Sequence, residues 1–214
     1  MYILILGHTQ ELNNSPDDVG VIALYDRLVK ENKGIVLMFP SGSILNEAKN
    51  LSKMESSYTE NKVLFAHTER NIKDFIDQYK PKDLRLVGFS WGAGVIRRLQ
   101  KDQWWRNDVP VKRTGYIDAV NSGKRNLATA CRARPYFGNS CHLQIYQRED
   151  GVHPLRIQGN YPTKTKYNKW GIPVGWERDF YEGDLHWRVQ KAKHNTIFEL
   201  TEVQKETFGY ITKD

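Results

Sequence analysis

Leu84-Arg85-Leu86-Val87-Gly88-Phe89-Ser90-Trp91-Gly92-Ala93-Gly94 is the stretch on which the reading of this chain turns. Leu84 to Val87 has the apolar character of a short buried strand. Ala93 to Gln103 has the pattern of a helix. Between them, Gly88 to Gly92 spells G-x-S-x-G. A serine on so sharp a strand-to-helix turn crowds the backbone, so its neighbours must be small. Gly88 and Gly92 remove the Cβ atoms that would clash, and Ala93 and Gly94 let the helix pack closely on the sheet. The helix N-terminus then directs its N–H groups and positive dipole end at charge developing beside Ser90. The competing reading of the same letters is an ordinary glycine-rich turn in an α/β sheet.

Outward from this stretch, strands and helices alternate. Tyr2 to Leu6 is a near-continuous apolar run, as expected for a parallel strand buried on both faces. Ser15-Pro16-Asp17-Asp18 reads as a helix start, with Val21, Ile22, Leu24, Tyr25, Leu28 and Val29 at helical spacing and Gly34 as the stop. Ile35 to Phe39 is a second strand. Residues 41–60 read as loop. A helix is expected from Asn61 to Tyr79, with Val63, Ile72, Phe75, Ile76 and Tyr79 inward and Pro81 ending it. Thr114 to Ile117 is the next strand and ends at Asp118. A basic loop from Asn121 to Ser140 precedes a strand from Cys141 to Gln147. Leu185 to Val189 is a further strand, and Glu199 to Tyr210 is the last helix. The alternation predicts an α/β fold: a mostly parallel sheet with helices on both faces. All 214 residues read as one domain, and residues 148–182, rich in aromatic residues and without a clear period, read as an insertion that covers or lines a site.

Composition narrows the function classes. Mean hydropathy is -0.65, and no apolar run approaches the ~18 residues of a membrane span. The apolar start is too short for a signal-peptide core, which points to a cytoplasmic protein. Cys131 and Cys141 could close a disulfide, but the expected compartment favours two free thiols, and no CxxC pair suggests zinc. The net charge of +7 is uneven: ten Lys/Arg against three Asp between Arg97 and Arg134 account for all of it. That segment reads either as a solvated face or as a surface attracting an anionic substrate, an anionic interface or nucleic acid. Trp104 and Trp105 lie within it, but no nucleic-acid module signature is present, so no nucleic-acid partner is expected.

A serine hydroxyl needs a base within hydrogen-bond reach, and the base needs an acid to fix its tautomer. Asp118 ends the first strand after the Ser90 helix and is the candidate acid, with Asp184 a weaker rival and Asp108 a turn residue. Among six histidines, His8 and His67 precede the serine, and His142 sits inside a strand too early in the chain. His194, between the last strand and the last helix, is the candidate base, with His186 and His153 as rivals. The backbone N–H of Trp91 and that of His8 or Thr9 are the candidate oxyanion donors.

With these residues the chain resembles the α/β-hydrolase superfamily in a compact, lipase/esterase-like form. The resemblance rests on residues 3–8, 88–94, 115–120 and 193–197, and on Gln144-Ile145-Tyr146-Gln147. Phe89, Ala119 and Gln144 depart from the residues frequent in relatives (His, Pro and Asn), and none is a triad position. The resemblance implies a serine hydrolase acting on a carboxylic ester, thioester or amide through an acyl-serine, on a small-molecule acyl substrate and with no cofactor. Two alternatives keep the fold: a catalytically inactive binding protein, and an acyltransferase with the same triad.

Overall fold

Every residue of β1 (Tyr2–Ile5) is buried, so this strand needs an apolar layer on each side. The computed structural model supplies both layers. It describes residues 1–7, 19–39, 41, 57–99, 105, 108–123, 126–130, 137, 140–147, 163–178, 182–194 and 196–214. The strands β2 (Val36–Phe39), β3 (Leu84–Phe89), β4 (Val111–Ile117), β7 (Cys141–Tyr146) and β10 (Leu185–Arg188) join β1 in one six-stranded sheet. Its order is β10-β7-β4-β3-β1-β2, and every neighbouring pair is parallel. The parallel sheet expected from the alternation is therefore the sheet observed.

The pleat sorts the core into two clusters. Leu4 and Leu6 of the first, with Val87, Ile117 and Leu143, pack against α1 (Val19–Lys30), a 3₁₀ turn (Ile197–Glu199) and α4 (Thr201–Thr212). Ile3 and Ile5 point the other way, with Leu84, Leu86 and Tyr116, onto α2 (Ser57–Tyr79) and α3 (Trp91–Leu99). Helices thus cover both faces, as the near-continuous apolar strands require.

Several boundaries differ from the sequence reading, and always where apolar periodicity fails. α2 begins at Ser57, four residues early, because its polar first turn carries no helical apolar signal. Among its described side chains, the inner face is Thr68, Ile72 and Ile76, with Phe75 half-buried; Tyr79 is exposed and stacks on Phe75 instead, and the side chain of Val63 lies outside those described. The helix after Ser90 takes in Trp91 and Gly92, and β4 starts at Val111 rather than Thr114. The last helix starts at Thr201, after the 3₁₀ turn. The expected loop 121–140 contains an antiparallel pair, β5 (Val120–Gly123) and β6 (Asn126–Ala130). The aperiodic stretch 148–182 contains another, β8 (Thr163–Tyr167) and β9 (Pro173–Arg178). Neither pair belongs to the main sheet, so neither needs the alternation that marks a half-buried strand. The expected helix start at Ser15 and Pro16 lies outside the described residues. Gly34 takes a left-handed φ of 98°, fitting the turn that follows α1. Cys141 carries a free thiol, and Cys131 lies outside the described residues.

At the N-terminal rim of the sheet, charge replaces apolar packing. The buried Arg85 guanidinium donates to both carboxylate oxygens of Asp83, at 2.9 and 2.7 Å, and to the carbonyls of Ile211 and Lys213, at 2.7 and 2.9 Å. One side chain thereby ties β3 to the end of α4. Arg113 adds bonds to the carbonyls of Lys213 and Asp214, and Arg98 pairs with Glu69 at 2.6 Å. These members of the basic segment serve the fold's own hydrogen bonding.

The hydrogen bonds from Arg85 hold the Asp83 carboxyl below its usual value of 3.8. A carboxyl lowered in the folded state adds stability that is complete above its unfolded value and is lost as pH falls through the folded one. Replacing Arg85 by Met is expected to cost roughly 2 kcal/mol at neutral pH through the lost charged hydrogen bonds. Urea midpoints at neutral pH will read that loss. The gap between wild type and variant is expected to narrow as pH falls below 3.8.

Candidate active site

Ser90 is the single residue between β3 and α3, and it turns the chain with a left-handed φ of 50°. Such a conformation costs a non-glycine residue of order 1–3 kcal/mol and persists only where its surroundings impose it. Here the surroundings are backbone. A Cβ on Gly92 would lie 2.2 Å from the Ile5 carbonyl oxygen, and one on Gly88 would lie 2.4 Å from the Ala93 nitrogen. α3 therefore rests directly on β1 and β3, and Ser90 stands above the carboxyl edge of the sheet. Its N–H is tied to the Ile117 carbonyl at 3.0 Å.

The neighbouring strand ends bring the rest. Asp118 follows β4, again with a left-handed φ, 41°, and its N–H bonds the Ile145 carbonyl at 2.7 Å. Gln147 follows β7. His194 lies beyond β10, just before the 3₁₀ turn. His194 Nε2 is 2.8 Å from Ser90 Oγ, and His194 Nδ1 is 2.7 Å from Asp118 Oδ2. Gln147 donates twice to the same carboxylate, through its side-chain amide at 2.9 Å and its backbone N–H at 3.3 Å. The Asp118 carboxylate can only accept, so Nδ1 carries the proton and Nε2 is left to accept from the serine hydroxyl. All four side chains are at most 4% exposed, which strengthens each polar contact by excluding water.

The Phe89 ring lies beside this chain, 5.3 Å from the His194 ring centre and 22° from coplanar. Phe198 packs on Phe89 in turn. Phe89 thus offers His194 a flat apolar wall.

The sequence candidates separate clearly. Ser90, Asp118 and His194 come together. Trp91 opens α3, whose first N–H groups lie outside the intrahelical ladder. His8 and Thr9 lie outside the described residues; Gly7, just before them, is close enough that a Cβ there would meet Ser90 Cβ at 3.0 Å. Asp184 is at the opposite end of the sheet, accepting the His142 N–H at 2.7 Å. His142 is buried in mid-sheet between Thr114 and Gln144. His186 lies within β10, in register with Gln144. His67 falls in α2, and His153 is outside the described residues. Gln147 was the residue that sequence reasoning left without a role, although it stands at a strand end and inside the Gln144–Gln147 motif.

Set against known proteins, the sequence matches no family model and no curated protein. A gene product of Listeria innocua shares the structure over 100% of this chain and 94% of its own, with a TM-score of 0.50 and 12% identity. A presumptive hydrolase from Agrobacterium vitis S4 aligns over 98% and 88%, with a TM-score of 0.49 and 12% identity. An extracellular α/β-hydrolase from a Paenibacillus species aligns over 56% and 40%, with a TM-score of 0.32 and 19% identity. The six-stranded parallel sheet with a helical layer on each face is an α/β fold, shared with the Listeria innocua protein along the whole chain.

The close approach at Gly92 makes a pointed comparison possible. Gly92→Ala is expected to cost more than about 3 kcal/mol, since a methyl group must displace backbone. Gly209→Ala, on the exposed side of α4 with nothing within 4 Å, is expected to add roughly 0.5–1 kcal/mol. Denaturant unfolding of the two variants will show opposite shifts.

Proposed function

We propose that this protein is a serine hydrolase that cleaves a carboxylic ester through an acyl-serine intermediate. The reading is carried by one observation: the buried chain of hydrogen bonds from Ser90 Oγ through the His194 ring to the Asp118 carboxylate. Ser90 Oγ attacks the substrate carbonyl while its proton passes to His194 Nε2. The imidazolium that forms keeps its Nδ1–H on Asp118, and Gln147 keeps the carboxylate oriented. His194 then gives the proton to the leaving alcohol, and water, activated by the same nitrogen, releases the acid.

The tetrahedral intermediate places negative charge on the former carbonyl oxygen. The N–H of Trp91, at the positive end of α3, is the proposed first donor to it, and the N–H of His8 or Thr9 the second. Each such donor is worth roughly 10²–10³ in kcat in comparable sites. The substrate class is a small acyl compound.

A fluorophosphonate probe tests the nucleophile directly. Wild type is expected to label, while Ser90→Ala does not. Hydrolysis of an activated ester is expected to fall by at least about a thousandfold in Ser90→Ala and His194→Ala. Asp118→Asn is expected to lose about as much, because Nδ1 then lacks its anionic acceptor. A folded wild type that neither labels nor hydrolyses any activated ester would refute the reading and leave a binding protein on a hydrolase scaffold.

A further inference from the structure

We propose that the tip of the β8–β9 hairpin is an interfacial anchor that docks the protein on anionic lipid membranes. This inference goes beyond the chemistry at Ser90 and stands independently of it.

The hairpin tip is ordered and exposed. Asn168 builds the turn: its side-chain oxygen accepts the N–H groups of Trp170 and Ile172, both at 3.0 Å, and its backbone pairs with Ile172 and Gly171. Gly171 adopts a φ of 75°, which the turn requires. The result holds Trp170 outward, 72% exposed, with Tyr167 at 59% and Ile172 and Val174 each at 56%. These four make up half of the large exposed hydrophobic residues among the described residues, and they fall within eight consecutive positions. Scattered apolar side chains on a surface need no explanation, but four within eight positions around one turn do.

The charge around the tip selects the partner. The hairpin, residues 163–178, has three lysines and one arginine against a single acid, Glu177, which lies across from Lys164 and away from the turn. Lys166 and Lys169 are exposed, and the Lys169 ammonium sits 4.4 Å from the Trp170 ring centre. Neither lysine has an ion-pair partner among the described residues. A second copy of this hairpin would bring the same positive charges together, which disfavours self-association through the tip. Nucleic acid would use the lysines and stack on Trp170, but it would leave Ile172 and Val174 in water. An anionic bilayer surface satisfies all of these groups at once. Trp170 and Tyr167 sit at the headgroup level, where amphipathic rings are favoured. Ile172 and Val174 reach the acyl boundary, and each lysine is drawn to the negative surface.

The test is cosedimentation of the full chain with two kinds of vesicle, phosphatidylcholine alone and phosphatidylcholine mixed with phosphatidylserine. Wild type is expected to bind the mixed vesicles and to bind pure phosphatidylcholine at least about tenfold more weakly. Trp170→Ser with Ile172→Ser removes apolar anchors that touch no core, so the variant is expected to fold as wild type by circular dichroism and to bind at least about tenfold more weakly. Lys166→Glu with Lys169→Glu is expected to lose a similar factor and to lose the preference for anionic lipid. The proposal is overturned if wild type ignores both vesicles, or if both variants bind as wild type does. It is equally overturned if the hairpin variants change oligomeric state or affinity for single-stranded RNA in place of lipid binding. The readout is binding, so it is unaffected by whether Ser90 is a nucleophile.

Discussion

Between Phe89 and Trp91 the chain has one residue in which to leave a strand and enter a helix. That constraint organises the molecule around it. The reversal is possible only because Gly88 and Gly92 allow backbone to lie on backbone, with α3 seated against the carbonyls of β1. It forces Ser90 into a left-handed conformation and lifts its hydroxyl clear of the sheet. It also turns Phe89 into the core, where its ring becomes a wall for His194. The two glycines, the strained serine and the buried phenylalanine are four consequences of a single turn.

A second regularity follows from the sheet order. β3, β4, β7 and β10 are consecutive neighbours, and the segments leaving their carboxyl ends supply Ser90, Asp118, Gln147 and His194 in that same order. Each of these strands contributes one residue, and His194, reaching back from beyond β10, bridges Ser90 to Asp118. Because all strands are parallel, all four groups arrive on the same edge. The opposite edge carries a different polar system, centred on Arg85, which fastens β3 to the end of α4. Between the two rims the faces are mostly apolar, interrupted by the buried Thr114, His142 and Gln144, which bond one another.

The sequence disclosed this arrangement unevenly. Strands buried on both faces announce themselves as apolar runs, which is why residues 2–6, 35–39 and 84–87 were readable. The turn at Ser90 was readable because glycine spacing reports a steric need. His194 was found by its place between the last strand and the last helix, a matter of topology. Gln147 was not assigned a role, because an amide that orients a carboxylate leaves no periodic trace. The two hairpins were missed for a related reason: Thr163–Tyr167 alternates threonine with lysine, and neither face is apolar. A strand with no apolar face in its sequence writes no pattern in hydropathy, and the hairpin is marked only by its turn residues, here Asn168 and Gly171.

The bond from His194 to Ser90 spans 104 positions of sequence, and that from His194 to Asp118 spans 76. Ser90 is therefore synthesised long before the imidazole that it bonds. A chain emerging from the ribosome exposes Ser90 as an ordinary alcohol, and its bond to His194 forms only once β10 has joined the sheet that holds β3. Long-range strand pairing of this kind is a late event in folding. On the proposed mechanism, reactivity of the serine is then a report on the completed sheet, and partly synthesised or misassembled chains carry none of it.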